Sequence, residues 1–194
     1  MADEKPFTGD GMDPRWLSFG RLRTPDLDLV RRWLSAPHVR RWWYAEGTSY
    51  AEIEEHYLPS IEDRDATKMF LILHENRPIG FIQAYRITAE DDARYANLVD
   101  VEDSAGIDLF IGESEYVNRG LGRHVIRRFL SEHVFSDPGV EVCVIGPEPE
   151  NVAAIRAYEK AGFRFFKTVQ VPGEPEPEYL MKLSRGEFEG AGLD

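Results

Sequence analysis

Residues 118–123 read Asn118-Arg119-Gly120-Leu121-Gly122-Arg123, and residues 151–163 read Asn151-Val152-Ala153-Ala154-Ile155-Arg156-Ala157-Tyr158-Glu159-Lys160-Ala161-Gly162-Phe163. The first stretch follows an apolar strand pattern, Gly106 to Ile111, and opens a helical one, Gly120 to His133. Leu121, Val125, Ile126, Phe129 and Leu130 lie along one face of that helix. The second stretch is a capped helix, with Asn151 at its start, Gly162 just past its end and a strand pattern, Phe163 to Val171, behind it. Between them Val140 to Ile145 is rich in β-branched residues. Strand, helix and strand in succession argue for parallel pairing of the strands at 106–111 and 140–145. At the start of the first helix the backbone N–H groups lack acceptors, and the helix dipole is positive there. Two glycines let an anion approach that backbone closely. Arg119, Arg123, Arg127 and Arg128 fall in a stretch without a single acid, so a polyanionic ligand is expected. The loop has no Gly-Lys-Ser/Thr and no six-residue dinucleotide fingerprint.

Outward from this segment, the 194 residues suit one domain, with a loose tail at 1–13, a domain over 14–185 and a frayed end at 186–194. Trp16 to Leu22 alternates as a first strand. Thr24-Pro25 opens a helix carrying Leu27, Val30, Trp33 and Leu34, and Pro37 ends it. Ser49 and Glu52 form a capping box for a second helix that Pro59 weakens. Met69 to Leu73 and Ile79 to Ile87 are strands joined by the turn residues 75–78, and Glu178 to Leu183 is the last strand. The order β-α-α-β-β-β-α-β-α-β-β predicts an α/β (mixed α+β) fold: one mixed sheet with helices on both faces.

Charge narrows the partners. The net charge of −12 repels nucleic acid and anionic membranes, and favours a small cationic substrate. Cys143 is the one cysteine, so no internal disulfide forms, and no Cys/His cluster has metal spacing. With no apolar run long enough to span a bilayer and no secretory pattern at the start, the expected location is the cytoplasm. A monomer or weak homodimer is expected.

Taken together, the glycine loop and the Tyr158-Glu159-Lys160-Ala161-Gly162-Phe163 helix end resemble the GNAT superfamily of acyl-CoA-dependent N-acyltransferases. Trp42-Trp43, Tyr57-Leu58-Pro59-Ser60, Pro78-Ile79-Gly80-Phe81 and Gly106-Ile107-Asp108, in this order, extend the resemblance to the aminoglycoside 6′-N-acetyltransferases over roughly residues 16–185. The resemblance implies a GNAT fold in which the two parallel strands splay and the pantetheine of acetyl-CoA lies in the gap. It implies that Arg119, Gly120, Leu121, Gly122, Arg123, Asn151 and the strand residues Leu109, Phe110 and Ile111 bind this cosubstrate, with no metal. The chain has Val117 where the family's loop has Gln or Arg.

An acid inside the apolar run Ile107-Asp108-Leu109-Phe110-Ile111 is costly unless it has a partner or a task. The structural reading is a hydrogen-bonded strand aspartate. The resemblance implies the carboxylate that accepts or orients the substrate amine. Tyr158 is either a core tyrosine or, as the resemblance implies, the acid that protonates the departing thiolate. Trp42, Trp43 and Tyr95 are expected to wall a polar cationic ligand, with one of the two tryptophans in the core. Of the acids between Thr88 and Asp103, Asp92 is chosen for substrate contact, and Glu174 is chosen from Glu174, Glu176 and Glu178 in the last turn. The resemblance implies an acid near that turn for a distal ring. Gly146 stands where related enzymes often have an aspartate before the proline, which removes one expected contact. Rival readings are acetylation of a siderophore precursor or another amine, and a CoA-binding module without turnover.

Overall fold

The protein, seen here as a computed structural model, is described over residues 12–43, 49–88, 96–99, 103–172 and 176–191. Its strands are β1 (Leu17–Arg21), β2 (Lys68–His74), β3 (Arg77–Arg86), β4 (Ser104–Ile111), β5 (Val142–Ile145), β6 (Arg164–Val169) and β7 (Glu178–Ser184). Its helices include α1 (Leu27–Leu34), α2 (Pro37–Arg40), α3 (Tyr50–Ile61), α4 (Gly122–Phe129), α5 (Val152–Ala161) and α6 (Arg185–Gly190), and residues 96–99 are also helical. A π-helical turn at Leu130–Val134 extends α4.

The strands form a single mixed sheet in the order β1-β2-β3-β4-β5-β7-β6. All neighbours are antiparallel except β4 and β5, as the strand-helix-strand reading requires. The β2–β3 hairpin turns on Glu75 and Asn76, both with positive φ, which suits the twist of a two-residue loop. Helices α1, α2 and α3 cover one face, burying Leu27, Val30, Trp33, Val39, Ile53 and Tyr57 against Phe81 and Phe110. Helices α4, α5 and α6 cover the other, burying Val125, Ile126, Phe129, Tyr158 and Phe188 against Ile82, Ile107 and Cys143. These are called the front and the back face below.

Several local expectations are corrected. Thr24-Pro25 opens a 3-10 turn that leads into α1, and Pro37, past the end of α1, opens α2 because its fixed φ and missing N–H suit a first helical position. Pro59 lies inside α3. Residues 186–191 are not frayed: Ser184 and Glu187 form a capping box, and Phe188 packs on Phe135 with ring centroids 5.1 Å apart. Of the N-terminal tail, Asp13 is tied down: its side chain caps the first 3-10 turn, and its carbonyl lies 3.0 Å from His74 Nε2.

The Phe188 anchor gives a direct check. Phe188→Ala removes a buried ring and should lower the unfolding free energy by roughly 3 kcal/mol in urea denaturation. A loss below about 0.5 kcal/mol, the size of an ordinary surface change, would show that α6 is a peripheral appendage.

Candidate active site

Strand β4 pairs with β3 along its whole length, from Ala105 opposite Arg86 to Ile111 opposite Gly80. Its pairing with β5 stops at Gly106 opposite Val144. Beyond that point β5 follows β7, and the amide of Tyr179 donates to Pro147 O at 2.8 Å. The two parallel strands therefore part, and a cavity of about 810 Å³ opens between them.

Antiparallel pairing turns alternate residues of a strand to opposite neighbours. The amide of Ile87 donates to Ser104 O, so the even-numbered residues of β4 bond β3. Leu109 and Ile111 consequently turn their backbone groups toward the gap, where no strand meets them. His38 Nε2 lies 3.1 Å from the Ile111 carbonyl, tying α2 to this strand end. Phe110 directs its backbone to β3 and also lines the cavity.

The glycine loop sits at the back end of the gap. Asn118 and Gly120 have φ of 60° and 80°, and Leu121 returns to the right-handed region. Alternation of this kind gathers successive N–H groups on one side, and the unpaired first amides of α4 add to them. A Cβ built on Gly120 would meet nothing within 4 Å, so the approach is open. The cradle fits a phosphate-bearing group. The chain leading to it is pinned, since Glu113 Oε1 accepts from Trp33 Nε1 at 3.0 Å and Arg32 Nη2 at 2.5 Å.

Arg119 and Arg123 line the cavity, but two of the four loop arginines have other tasks. Arg127 donates to Ala161 O and lies over the Phe188 ring, and Arg128 donates to Leu17 O and pairs with Glu132. Arg156 and Lys160, one helical turn apart on α5, line the cavity in their place. Each lies two residues from Tyr158, a spacing that does not share a helix face, so periodicity gave no signal for them. Asn151 lines the cavity, and its side chain accepts from the Ala154 amide at 3.2 Å, capping α5.

Asp108 and Tyr158 line the same cavity from opposite faces of the sheet. Asp108 projects on the front face, beside its cross-strand partner Gln83, whose side-chain amide donates to Oδ2 at 2.9 Å. It keeps an opening to the cavity while protein packs closely around the rest. Burial pushes its carboxyl above the ordinary range, and hydrogen bonds from Gln83 and Tyr85 offset part of that rise. Tyr85 reaches Asp108 because its ring crosses Gly106, where a Cβ would stand 2.5 Å from the ring. Tyr158 rises from α5 on the back face. Burial first, then the charge of Asp108, then Cys143, push its hydroxyl up, so it stays protonated across the usable pH range. Cys143 is a buried thiol also pushed up by burial, which matches its reading as a small apolar residue.

On the front face Trp42 and Trp43 both line the cavity. Trp43 is the one packed into the core, edge-on to Phe110 at 4.9 Å and to Phe81 at 5.9 Å. Burial raises the Tyr57 hydroxyl to about 12. Trp42 carries the Arg41 guanidinium over its ring at 4.5 Å. Asp92, Tyr95 and Glu174 lie outside the described residues. Glu176 and Glu178 line the cavity.

The family profile described as "Acetyltransferase (GNAT) domain" matches residues 23–171. The chain belongs to the GNAT acetyltransferase family. It is 34% identical over 158 residues to the aminoglycoside N(6′)-acetyltransferase type 1 of Klebsiella pneumoniae, a match covering 80% of this chain and 78% of that relative. It is similar to AAC(6′)-Ib solved with ribostamycin and coenzyme A, at 30% identity and a TM-score of 0.81, over 92% of this chain and 98% of the other. The AAC(6′)-Ib structure with paromomycin and acetyl-CoA matches over the same shares, at 29% identity and a TM-score of 0.81. Among the described residues no helix is long and apolar enough to cross a membrane.

The buried carboxyl gives a pH-dependent stability. A carboxyl whose folded value is raised contributes stability that is fully present below its ordinary value and is lost as pH climbs through the raised one. Asp108→Asn has no such group. It should melt above the wild type at neutral and mildly alkaline pH, and the gain should shrink in mild acid. A melting difference that stays constant across that pH range would contradict the burial assigned to Asp108.

Proposed function

We propose that this chain transfers the acetyl group of acetyl-CoA to the 6′-amine of aminoglycoside antibiotics, thereby conferring resistance, in a single ternary complex. The observation that carries this reading is the meeting of Asp108 and Tyr158 across one gap, with an anion cradle behind it and aromatic and acidic side chains in front. The relatives named above support the choice of substrate. The expected setting is the cytoplasm.

Bound acetyl-CoA supplies an activated acyl group. The amides of residues 119–123, with Arg119 and Arg123, hold its pyrophosphate, and Arg156 and Lys160 extend the positive rim. Leu109 directs its N–H at the thioester carbonyl, where charge develops as the amine attacks. The amine must be neutral to attack, yet an acidic pocket stabilises its ammonium form. Asp108 takes that proton, directly or through one water. The raised carboxyl suits the task, because its affinity for a proton lies closer to that of the amine. A C–N bond forms, the C–S bond breaks, Tyr158 passes its hydroxyl proton to the departing sulfur, and the proton that the new amide nitrogen sheds restores the tyrosine hydroxyl, directly or through water. Holding both reactants in attack geometry removes much of the entropic barrier.

The test is release of coenzyme thiol with ribostamycin, with a siderophore-precursor hydroxylamine and with spermidine as acceptors. Ribostamycin should be acetylated at its 6′-amine, fastest of the three, and its binding should weaken as salt is added. Asp108→Asn should lower the rate by roughly 10²–10⁴ at neutral pH and by less at high pH, where the amine loses its proton unaided. Tyr158→Phe should slow turnover, and both variants should still bind coenzyme A. Preference for either of the other acceptors would overturn the substrate assignment. A folded Asp108→Asn enzyme with full activity would overturn the base assignment.

A further inference from the structure

The cavity wall opposite β4 carries an arrangement that the reaction above leaves unused. Gly146 ends the run of β5 and precedes the buried Pro147. A Cβ built on Gly146 would lie 2.0 Å from Glu178 Oε2, 2.8 Å from the Glu178 carboxyl carbon and 3.1 Å from Leu180 Cδ2. The first two distances are shorter than real Cβ contacts, so a side chain at 146 requires the Glu178 carboxylate to move away. The Glu178 carboxylate thus lies directly across the bare backbone of Gly146. Both residues line the cavity that also holds Asp108. The placement is set by the sheet: β5 and β7 pair from Ile145 opposite Met181, and the Tyr179 amide bonds Pro147 O, so the start of β7 is held beside the end of β5.

We infer that Glu178 is the specificity-determining carboxylate for a second ammonium group of the substrate, and that Gly146 is glycine to leave room for it. The inference rests on the proposed polycationic substrate, and it assigns a residue and a steric partner to that binding. The negative charge reaches the wall from β7 instead of from the end of β5. Charge at this wall selects acceptors with two or more amines, because a single amine is already engaged at Asp108. The two positions are coupled: a side chain at 146 and a carboxylate at 178 compete for the same volume.

Calorimetric titration with ribostamycin, in the presence of coenzyme A, tests this without requiring turnover. A single-amine sugar, 6-amino-6-deoxyglucose, is the control. Glu178→Gln, close in shape, should weaken ribostamycin binding roughly tenfold or more, the size of a lost hydrogen bond to a charged group. It should leave the single-amine sugar and coenzyme A bound as before. Gly146→Ala should displace the carboxylate and reproduce that loss with Glu178 intact. The double variant Gly146→Asp/Glu178→Ala should regain most of the affinity, which a merely structural role for Glu178 would not produce. Thermal melting reports folding for each. Unchanged ribostamycin affinity in Glu178→Gln, an equal loss for the single-amine sugar, or no binding by the wild type would overturn the inference. Wild-type binding without acetyl transfer would instead count against the proposed reaction alone.

Discussion

Strand β4 has two neighbours as far as Gly106 and one beyond it. Everything that makes the site depends on that change. A paired strand is closed on both edges, and its amides have no spare capacity. Once β5 turns away with β7, the backbone of Leu109 and Ile111 is left facing a cavity. The same parting lets a side chain from the back layer and one from the front layer reach a common point. Without it, Asp108 and Tyr158 would be sealed on opposite sides of a continuous sheet. The cause is local: β5 is four residues long and ends at Ile145, while β4 runs on to Ile111.

The two catalytic candidates also illustrate how one site holds opposite protonation habits. Burial raises both groups, since it disfavours either charged form. For a carboxyl this means a stronger base, and for a phenol it means an acid that does not ionise early. Gln83 and Tyr85 keep Asp108 oriented while it carries this cost, and the Tyr85 contact exists only because Gly106 has no side chain. Fold and chemistry share residues here, so stability and activity are expected to trade against each other at Asp108.

Much of this was legible in the chain because it rests on local rules. The glycine loop, the Asn151 cap, the Gly162 stop and the Ser49-Glu52 capping box are short-range signals, and each stands where the sequence pattern puts it. The parallel pairing followed from element order. What was not legible depends on tertiary partners. Helical periodicity does not say that Arg127 and Arg128 reach back to Ala161 and Leu17, or that Arg156 and Lys160 face the cavity. The contact between Gly146 and Glu178 requires the β5–β7 register. The closing helix is different, since Ser184, Glu187 and Phe188 form a recognisable signature that composition alone disguised as a frayed end.

The central claim is that the free edge of β4 receives the coenzyme. Residue-level amide hydrogen exchange across β4, with and without acetyl-CoA, tests it most directly. The alternation predicts that the Leu109 amide exchanges quickly in the free protein and becomes protected on binding. The Asp108 and Phe110 amides, bonded to β3, should be protected in both states. Protection that rises equally along the whole strand, or a Leu109 amide that is slow without ligand and unchanged with it, would contradict the account.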